Sequence, residues 1–458
     1  MTDLPTGWRM LTAHEIAGES RQALIIGPFG SNLKKVDYRP EGVPLVFVRD
    51  IRGGDFSNPR TFVSPDKAEE LKAHHVMPGD VLITKMGSPP GDAAVYNGAG
   101  PAVITADCIR LRPALGFDAR YVAYAMHSPD VRAQISAITS GVAHQKVSLD
   151  RFRHKVGLPV PPLPEQERII EVLEDHLSRL DAGVDYLNAA RRRCALYEDA
   201  TIMRALGSTE SRQDGVEQII NGHLPALADG WSWQTLEEVA DVAGGVTKDA
   251  KKQSDPSYVE VPYLRVANVQ RARLDLENVT TLCVPPAKIE ALRLLKGDVL
   301  MNEGGDRDKL ARGWVWDGQI EECIHQNHVF RARPRETMRS EWLAWCANTY
   351  GARWAQRHGK QSVNLASISL KVIKTMPIPV PPLPEQDERL AQIHEAVSRS
   401  RRLVEEVEIG LARADRLRRS LLIAAFSGRM TGAASDAERV EEIAAGVVEA
   451  EAREGVRV

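Results

Sequence analysis

The 458-residue sequence lacks the patterns on which several large classes of protein depend. Its five cysteines are an odd number without Cys-x-x-Cys spacing, so neither a disulfide framework nor a zinc knuckle is indicated, and we interpret them as free thiols. No apolar run approaches the roughly 18 residues of a membrane-spanning helix, and the polar start of the chain lacks the features of a secretion signal. We therefore expect a cytoplasmic protein without a membrane partner.

Catalytic motifs for DNA modification are also missing. The sequence has neither an Asn-Pro-Pro-Tyr-like loop nor a glycine-rich cofactor site of an amino-methyltransferase, and it has no Gly-x-x-x-x-Gly-Lys-Ser/Thr phosphate loop. Cys323, His325 and His328 are poorly spaced for zinc and lack a fourth partner, so we favour a buried strand cysteine with polar loop neighbours. We expect a chain that is not an enzyme and that binds no cofactor itself.

The charge of the chain is unevenly distributed. The net charge of −3 argues weakly against nucleic-acid binding. Residues 436–457 contain seven acidic and three basic residues, so this tail carries −4 and the rest of the chain about +1. Any contact with DNA must therefore come from local positive patches.

The chain contains one series of landmarks twice, which indicates its architecture. The octapeptide Pro159–Gln166 recurs unchanged at Pro379–Gln386, an offset of 220 residues. Further pairs in the same order are Gly7-Trp8 with Gly230-Trp231, Gly79–Leu82 with Gly297–Leu300, and Ile109–Pro113 with Phe330–Pro334. We call residues 7–166 the first copy and residues 230–386 the second copy. Between the landmarks the two copies differ strongly, so the sequence predicts a shared frame with different loops.

Each copy has the pattern of an α+β domain. Short β-branched runs such as Leu45–Val48 and Val299–Met301 alternate with Gly and Pro breaks, which is typical of strands and turns. Helical patterns follow over Tyr121–Ser136 and Ser340–Gln356.

A long helix is predicted after each octapeptide. Leu-Pro-Glu-Gln favours a helix start, because proline is tolerated in the first turn and the acidic residue suits the positive end of the dipole. Apolar residues then recur at steps of mostly three and four: Ile170, Leu173, Leu177, Leu180, Val184 and Leu187 in the first helix, and Leu390, Ile393, Val397, Val404, Val407 and Leu411 in the second. We predict helices of roughly 40 residues that pair as an antiparallel coiled coil, because parallel pairing would crowd the two domains.

These features predict six segments. They are a first globular domain at residues 1–155, a proline-rich stop with its long helix at 156–206, a linker at 207–229, a second globular domain at 230–376, a second stop and helix at 377–430, and an acidic tail at 431–458. We interpret the tail as a solvated extension, with a specific docking element as the alternative.

This order of features resembles the specificity subunit of Type I restriction-modification systems, the HsdS-like family. Further strings that carry the resemblance are Gly27–Lys34, Asn302–Lys309, Ile324–Phe330 and Ala425–Met430. The resemblance implies two repeated α/β target recognition domains separated by a pair of long antiparallel coiled-coil helices. Each domain would read one half of a bipartite, asymmetric double-stranded DNA site, and the helices would set the gap. It also implies two methyltransferase subunits and translocase-endonuclease subunits as partners, which would bind S-adenosylmethionine, ATP and Mg for DNA methylation and phage defence.

Polar and basic clusters in both copies are candidates for DNA contacts, because base edges require paired donors and acceptors and phosphates require cations. The candidates are Lys34, Lys35, Thr84, Lys85, Ser88, His144, Gln145 and Lys146 in the first copy, and Arg265, Asn268, Arg307, Lys309, Arg312, Gln326, Asn327, His328, Lys360, Gln361, Ser362 and Asn364 in the second. Two other functions stay open: a coiled-coil assembly scaffold that does not bind DNA, and a fragment of a fused methyltransferase-nuclease.

Overall fold

The computed structural model divides the chain into two compact units, residues 1–188 with 407–458, and residues 189–406. The residues that the structure describes are 4–141, 145–207, 224, 226–249, 253–361, 366–430, 438–440, 442–443 and 445–446. Among the helices in these ranges, none is both long and apolar enough to cross a membrane.

The first copy is built on two four-stranded sheets. The first sheet has the order Leu24–Ile26, Cys108–Leu111, Val81–Thr84 and Ala93–Val95, and the second has the order Phe62–Val63, Val43–Val46, Ala102–Ile104 and His75–Val76. Two strand pairs join Arg9–Thr12 to Gly157–Val160 and Thr139–Ser140 to Lys146–Val147. The helices are Ala13–Ile16, Val48–Gly53, Pro65–Glu70, Ala119–Ala125, Pro129–Ile138 and Leu149–Lys155, with 3-10 turns at Lys35–Asp37 and Lys72–His74.

The second copy repeats this topology. Its main sheet has the order Ala240–Ala243, Val329–Pro334, Val299–Asn302 and Gly313–Val315, and a second sheet has the order Thr280–Val284, Val259–Leu264 and Ile324–His325. Smaller sheets join Ser232–Thr235 to Pro377–Val380, Val269–Gln270 to Arg273–Leu274, and Gly304–Gly305 to Ala366–Ser367 and Lys360–Gln361. Its helices are Leu236–Val239, Pro286–Leu292, Ser340–Cys346, Ala352–His358 and Leu370–Ile373, with a 3-10 turn at Arg307–Lys309 and a π-helical turn at Ala347–Gly351. The predicted α+β repeat is confirmed.

Two local predictions were wrong. The helix predicted over Tyr121–Ser136 is two helices, because Ser128 adopts the extended conformation of an N-cap and Pro129 begins a new helix. The strand predicted over Leu45–Val48 ends at Val46, and a helix begins at Val48, where the Phe47 N–H donates to Asp50 Oδ2 at 2.8 Å.

The Gly-Asp landmark of each copy supplies a buried carboxylate that holds the main sheet together. Asp80 accepts from Arg112 Nε at 2.6 Å and Nη2 at 2.8 Å. Asp298 accepts from Arg333 Nε at 2.7 Å and Nη2 at 2.8 Å. Both carboxylates are almost fully buried, so the paired guanidinium is what makes their burial tolerable.

The last residue of each octapeptide is a buried glutamine that ties the long helix to its own copy. Gln166 Oε1 accepts from the Asp118 N–H at 2.9 Å, and its Nε2 donates to the Pro161 carbonyl at 2.9 Å. Gln386 repeats both bonds, with the Arg339 N–H at 2.9 Å and the Pro381 carbonyl at 2.9 Å. Asp118 and Arg339 are the N-caps of equivalent short helices. The octapeptide therefore fixes the start of the long helix to the globular copy that precedes it.

The long helices span Leu163–Ala205 and Leu383–Phe426, with 43 and 44 residues, and each starts within its octapeptide as predicted. In the unit of residues 1–188 and 407–458, Asp181 binds Arg418, and Leu187 lies against Gly410. The partner's residue number falls as the first helix advances, so the helices run antiparallel, as predicted. The residues of this unit's core cluster that lie on the two helices are Ile169, Ile170, Leu173, Leu177, Leu421, Leu422, Ala424, Ala425 and Phe426.

In the unit of residues 189–406, the end of the first helix packs with the start of the second. Its core cluster includes Ile202, Met203, Ala205, Leu206, Leu390 and Ile393, with Val397 half-buried against it. Val184, Leu187, Val404 and Leu411 are half-buried, whereas Val407 is buried. The apolar contacts of the first helix thus extend beyond Leu187, the last residue of its predicted apolar repeat.

The acidic tail is not wholly solvated. Val440 is buried in the core cluster of its unit, and Ile443 is half-buried against the same cluster. The interpretation of the tail as a solvated extension is therefore wrong for these two residues. Apolar side chains on a short helical segment give the tail a packing face.

We expect Gln386→Met to lower the melting temperature by several degrees, because it leaves the Arg339 N–H and two carbonyls without partners, at about 1–3 kcal/mol for an unsatisfied buried group. Gln392→Met, on an exposed position of the same helix, is the control. Differential scanning calorimetry of both variants tests this. Equal melting temperatures would contradict the role of the glutamine.

Candidate nucleic-acid interface

In the second copy, three clusters of candidate DNA contacts meet near Glu303, the residue that follows the strand Val299–Asn302 of the main sheet. The Glu303 N–H donates to the His328 carbonyl at 3.0 Å, its Oε2 lies 2.6 Å from His328 Nδ1, and its carbonyl accepts from the Ile368 N–H at 2.9 Å. The next residues, Gly304–Gly305, pair with Ala366–Ser367, which pairs in turn with Lys360–Gln361. One edge of the copy therefore brings together the segments around residues 303–309, 326–328 and 360–361.

The side chains on this edge are polar and accessible. Arg307 and Lys360 are exposed, and Gln326 and Asn327 are half-exposed. Arg307 Nη2 donates to the Gln356 carbonyl at 3.2 Å, and Lys309 binds Asp306. Such a mixture of amides, imidazole and cations suits base edges and phosphates.

In the first copy the corresponding edge joins the segment after the strand Val81–Thr84 to the strand pair of Thr139–Ser140 and Lys146–Val147. The Gly87 N–H donates to the Gln145 carbonyl at 3.2 Å, and the Val147 N–H donates to the Lys85 carbonyl at 3.0 Å. Ser88 and Lys146 are exposed there, whereas Lys85 Nζ donates to the Ala106 carbonyl at 3.3 Å. This edge is therefore equivalent to that of the second copy but carries different side chains.

Several other candidates for DNA contacts are not part of these two edges. Lys34 and Lys35 are exposed around the 3-10 turn, and among the residues that the structure describes no hydrogen bond or ion pair joins them to residues 85–88 or 145–146. Arg265 is half-buried, with Nη2 3.4 Å from the Asn278 carbonyl, and Arg312 is half-buried in a cavity. His144, Ser362, Asn364 and the side chain of Gln361 lie outside the described residues.

Two residues that were candidates for DNA contacts instead form hydrogen bonds inside the fold. Thr84 is 1% exposed, and its hydroxyl accepts from the Gly91 and Asp92 N–H groups, both at 2.9 Å. Asn268 is 3% exposed, and its side chain bonds the Arg265 N–H at 2.9 Å and the Asp275 carbonyl at 2.9 Å. Because burial withdraws both side chains from a ligand, we remove them from the candidate interface.

The prediction overlooked a helix that borders the edge of the first copy. Val48–Gly53 presents Arg52, whose Nη2 donates to the Pro89 carbonyl at 3.2 Å, and Arg49, whose guanidinium lies 4.4 Å from the Phe47 ring centroid. Arg49 and Arg52 stand three residues apart, which suits one face of a helix, but the sequence pattern predicts a strand as far as Val48.

The three residues weighed as a metal site have separate structural partners. Burial raises the pKa of the Cys323 thiol to about 12 and lowers the pKa of His325 to about 4. His325 Nδ1 lies 2.7 Å from the Val329 carbonyl, whereas His328 binds Glu303. Among the residues that the structure describes, no group of three His, Cys, Asp or Glu side chains is arranged to hold a metal ion.

Comparison with known proteins finds similar sequences and similar folds. Residues 51–184 match the Type I restriction modification DNA specificity domain. The chain is 22% identical to the EcoKI specificity subunit of Escherichia coli K12 over 451 residues, which cover 93% of this chain and 90% of that protein. It is 23% identical to the StySPI specificity subunit of Salmonella potsdam over 438 residues, with 93% and 90% covered.

Solved structures share the fold. A chain from a structural study of complex assembly and conformational transition of the type I R-M system has a TM-score of 0.68 and 18% identity, with 93% of this chain and 98% of that chain covered. The HsdS subunit from Thermoanaerobacter tengcongensis has a TM-score of 0.51 and 17% identity, with the same coverage.

We expect the stability of the second unit to fall as the pH drops from about 6.5 towards 4. The pKa of the buried His325 is about 4 in the folded chain, whereas the ordinary pKa of histidine is 6.5, so between these values the unfolded chain binds more protons. The contribution is complete above the higher pKa and is about 3 kcal/mol smaller near the lower one. Melting temperatures from pH 7 to 4.5 test this. His325→Gln should flatten the profile, whereas the exposed control His328→Gln should not; identical profiles for all three proteins would refute the assignment.

Proposed function

Starting from the relation of this chain to the specificity subunits of Type I restriction-modification systems, we propose that each copy reads one half of a bipartite, asymmetric DNA site. The chain carries no catalytic centre in this proposal. Two methyltransferase subunits dock on the paired helices, and translocase-endonuclease subunits join them for cleavage. S-adenosylmethionine, ATP and Mg belong to those partners, and none is bound by this chain.

The observation that carries the proposal is an identical framework with different exposed edges. Asp80 and Asp298 make the same buried ion pairs, and the octapeptide glutamines make the same bonds. At the equivalent edges, however, the first copy presents Lys146 and the second presents Arg307. A framework that keeps its geometry while its accessible donors and acceptors change suits two readers of different sequences.

The helices carry exposed apolar side chains that suit protein partners. In the unit of residues 1–188 and 407–458, Tyr186 is 67% exposed and Ile409 is 51% exposed. In the unit of residues 189–406, Leu196 is 51% exposed and Leu403 is 48% exposed. Aromatic and aliphatic groups of this kind supply the apolar core of protein interfaces, which supports docking of the methyltransferase subunits here.

The proposal is tested by reconstituting the chain with its cognate methyltransferase subunits and S-adenosylmethionine. We expect adenine methylation at one bipartite site and no turnover by the lone chain. Replacing Gln326, Asn327 and His328 by alanine should relax the sequence requirement of one half-site, at about 1–3 kcal/mol per lost bidentate base contact. The exposed residue Gln392 provides the control variant Gln392→Ala. Unchanged specificity in the triple variant, or methylation that co-purifies with the lone chain, would contradict the proposal.

We expect the helices to set the distance between half-sites. Because Leu187 lies against Gly410, the insertion is made in both helices, with four residues after each of these positions. Four residues add about 6 Å and nearly one full turn, which keeps the apolar faces in phase and corresponds to one or two base pairs. Sequencing of the methylated motif should show a correspondingly longer gap.

Matched two-residue insertions are the control, because they rotate each face by about 200° and should abolish activity. An active complex with the four-residue insertions and an unchanged gap would show that the helices are not the ruler.

A further inference from the structure

One short segment is held by the same backbone hydrogen bonds in both copies, although its side chains differ. In the first copy the Thr105 N–H donates to the Val46 carbonyl at 3.0 Å. In the second copy the Gln326 N–H donates to the Leu264 carbonyl at 2.9 Å. Val46 and Leu264 belong to equivalent strands of the second sheet of each copy. Thr105 therefore corresponds to Gln326, one of the candidate DNA contacts.

Asp107 of the first copy corresponds in the same way to His328 of the second. The Lys85 N–H donates to the Asp107 carbonyl at 2.8 Å, and the Glu303 N–H donates to the His328 carbonyl at 3.0 Å. Lys85 is also the residue whose carbonyl accepts from the Val147 N–H at 3.0 Å. Asp107 therefore lies directly on the candidate interface of the first copy, although the sequence analysis does not include it among the DNA contacts.

Asp107 is the residue of this segment whose side chain can accept a hydrogen bond from a ligand. Thr105 is 8% exposed, and its hydroxyl donates to the Val46 carbonyl at 3.0 Å, whereas Ala106 has no polar side chain. Lys85 Nζ donates to the Ala106 carbonyl at 3.3 Å. The Asp107 side chain is half-buried, and within the described part of the chain its carboxylate accepts no hydrogen bond and forms no ion pair.

Asp107 is accessible from a groove on the surface of the first copy. The groove has a volume of about 480 Å³ and is lined by Phe47, Val48, Arg49, Arg52, Thr105 and Asp107. Both arginines in its wall have carboxylates of their own, since Arg52 Nε lies 2.7 Å from Asp92 Oδ2 and Arg49 Nε lies 3.5 Å from Asp50 Oδ1. The Asp107 carboxylate therefore remains available to a hydrogen-bond donor that enters the groove.

Given that the first copy reads one half-site, as proposed above, we propose that Asp107 reads a cytosine by accepting a hydrogen bond from its exocyclic amino group. A carboxylate accepts hydrogen bonds but cannot donate them, and it repels phosphate, so at a DNA interface it suits a base edge rather than the backbone. In the major groove guanine and thymine present acceptors, and adenine presents an acceptor beside its amino group. Cytosine presents a donor alone, which matches a carboxylate.

The first test is sequencing of the motif that the complex with its methyltransferase subunits methylates. Asp107→Asn keeps the shape of the side chain but adds a donor, and a side-chain amide matches the donor and acceptor of adenine. We expect adenine to replace cytosine at one position of one half-site, while the other half-site and the gap stay the same. Asp66→Asn, an exposed carboxylate of the helix Pro65–Glu70 in the same copy, is the control and should leave the motif unchanged.

The second test uses the wild-type complex, so it does not depend on the folding of a variant. Each cytosine of the half-site is replaced in turn by pyrimidinone, which is cytosine without its amino group, and the affinity for the duplex is measured. One replacement should weaken binding about tenfold or more, because hydrogen bonds to charged groups are among the strongest. The Asp107→Ala complex should not distinguish the two duplexes. The half-site of the first copy is the one that replacement of Gln326, Asn327 and His328 leaves unchanged.

Several results would overturn the role of Asp107 while leaving DNA reading intact. They are a wild-type half-site without cytosine, an unchanged motif in Asp107→Asn, a change in both half-sites, and equal wild-type affinity for every cytosine and pyrimidinone duplex. If the wild-type complex methylated no bipartite site at all, the proposed function and the role of Asp107 would both be contradicted.

Discussion

A single buried glutamine fixes each globular copy to the long helix that follows it. Gln166 and Gln386 each bond the N-cap of a short helix in the globular copy and a carbonyl of the proline stop. The direction of the helix is therefore set by hydrogen bonds inside the copy, and the proline stop cannot swing freely. A helix that is rigidly joined to its globular copy can set a fixed distance, whereas a helix on a flexible linker cannot.

The same framework accommodates side chains of opposite charge at corresponding positions. Asp92 and Arg312 each stand directly before the edge strand of their main sheet, yet the first is a carboxylate that pairs with two arginines and the second is itself an arginine. The buried ion pair of Asp80 with Arg112 and its counterpart in the second copy keep their geometry regardless. Charge reversal at an accessible position leaves the core packing untouched, which is how two copies of one fold can present different surfaces.

The fold was largely predictable because its signals are local or repeated. Proline followed by Glu and Gln favours a helix start, and an unchanged octapeptide that recurs along the chain indicates duplication. The site was less predictable, because residue type does not reveal whether a side chain is satisfied internally. Thr84 and Asn268 have the chemistry of DNA contacts, but tertiary structure uses them to hold turns. The packing of Val440 likewise depends on a core that is distant in sequence.

The central claim is that the two copies read DNA independently, and exchanging residues 1–155 for the matching segment of a relative tests it most directly. The measurement is methylome sequencing of a host that carries the complete system with the hybrid chain. One half of the methylated motif should change while the other half and the gap stay the same. If both halves changed together, or if neither did, the assignment of one half-site to each copy would be contradicted.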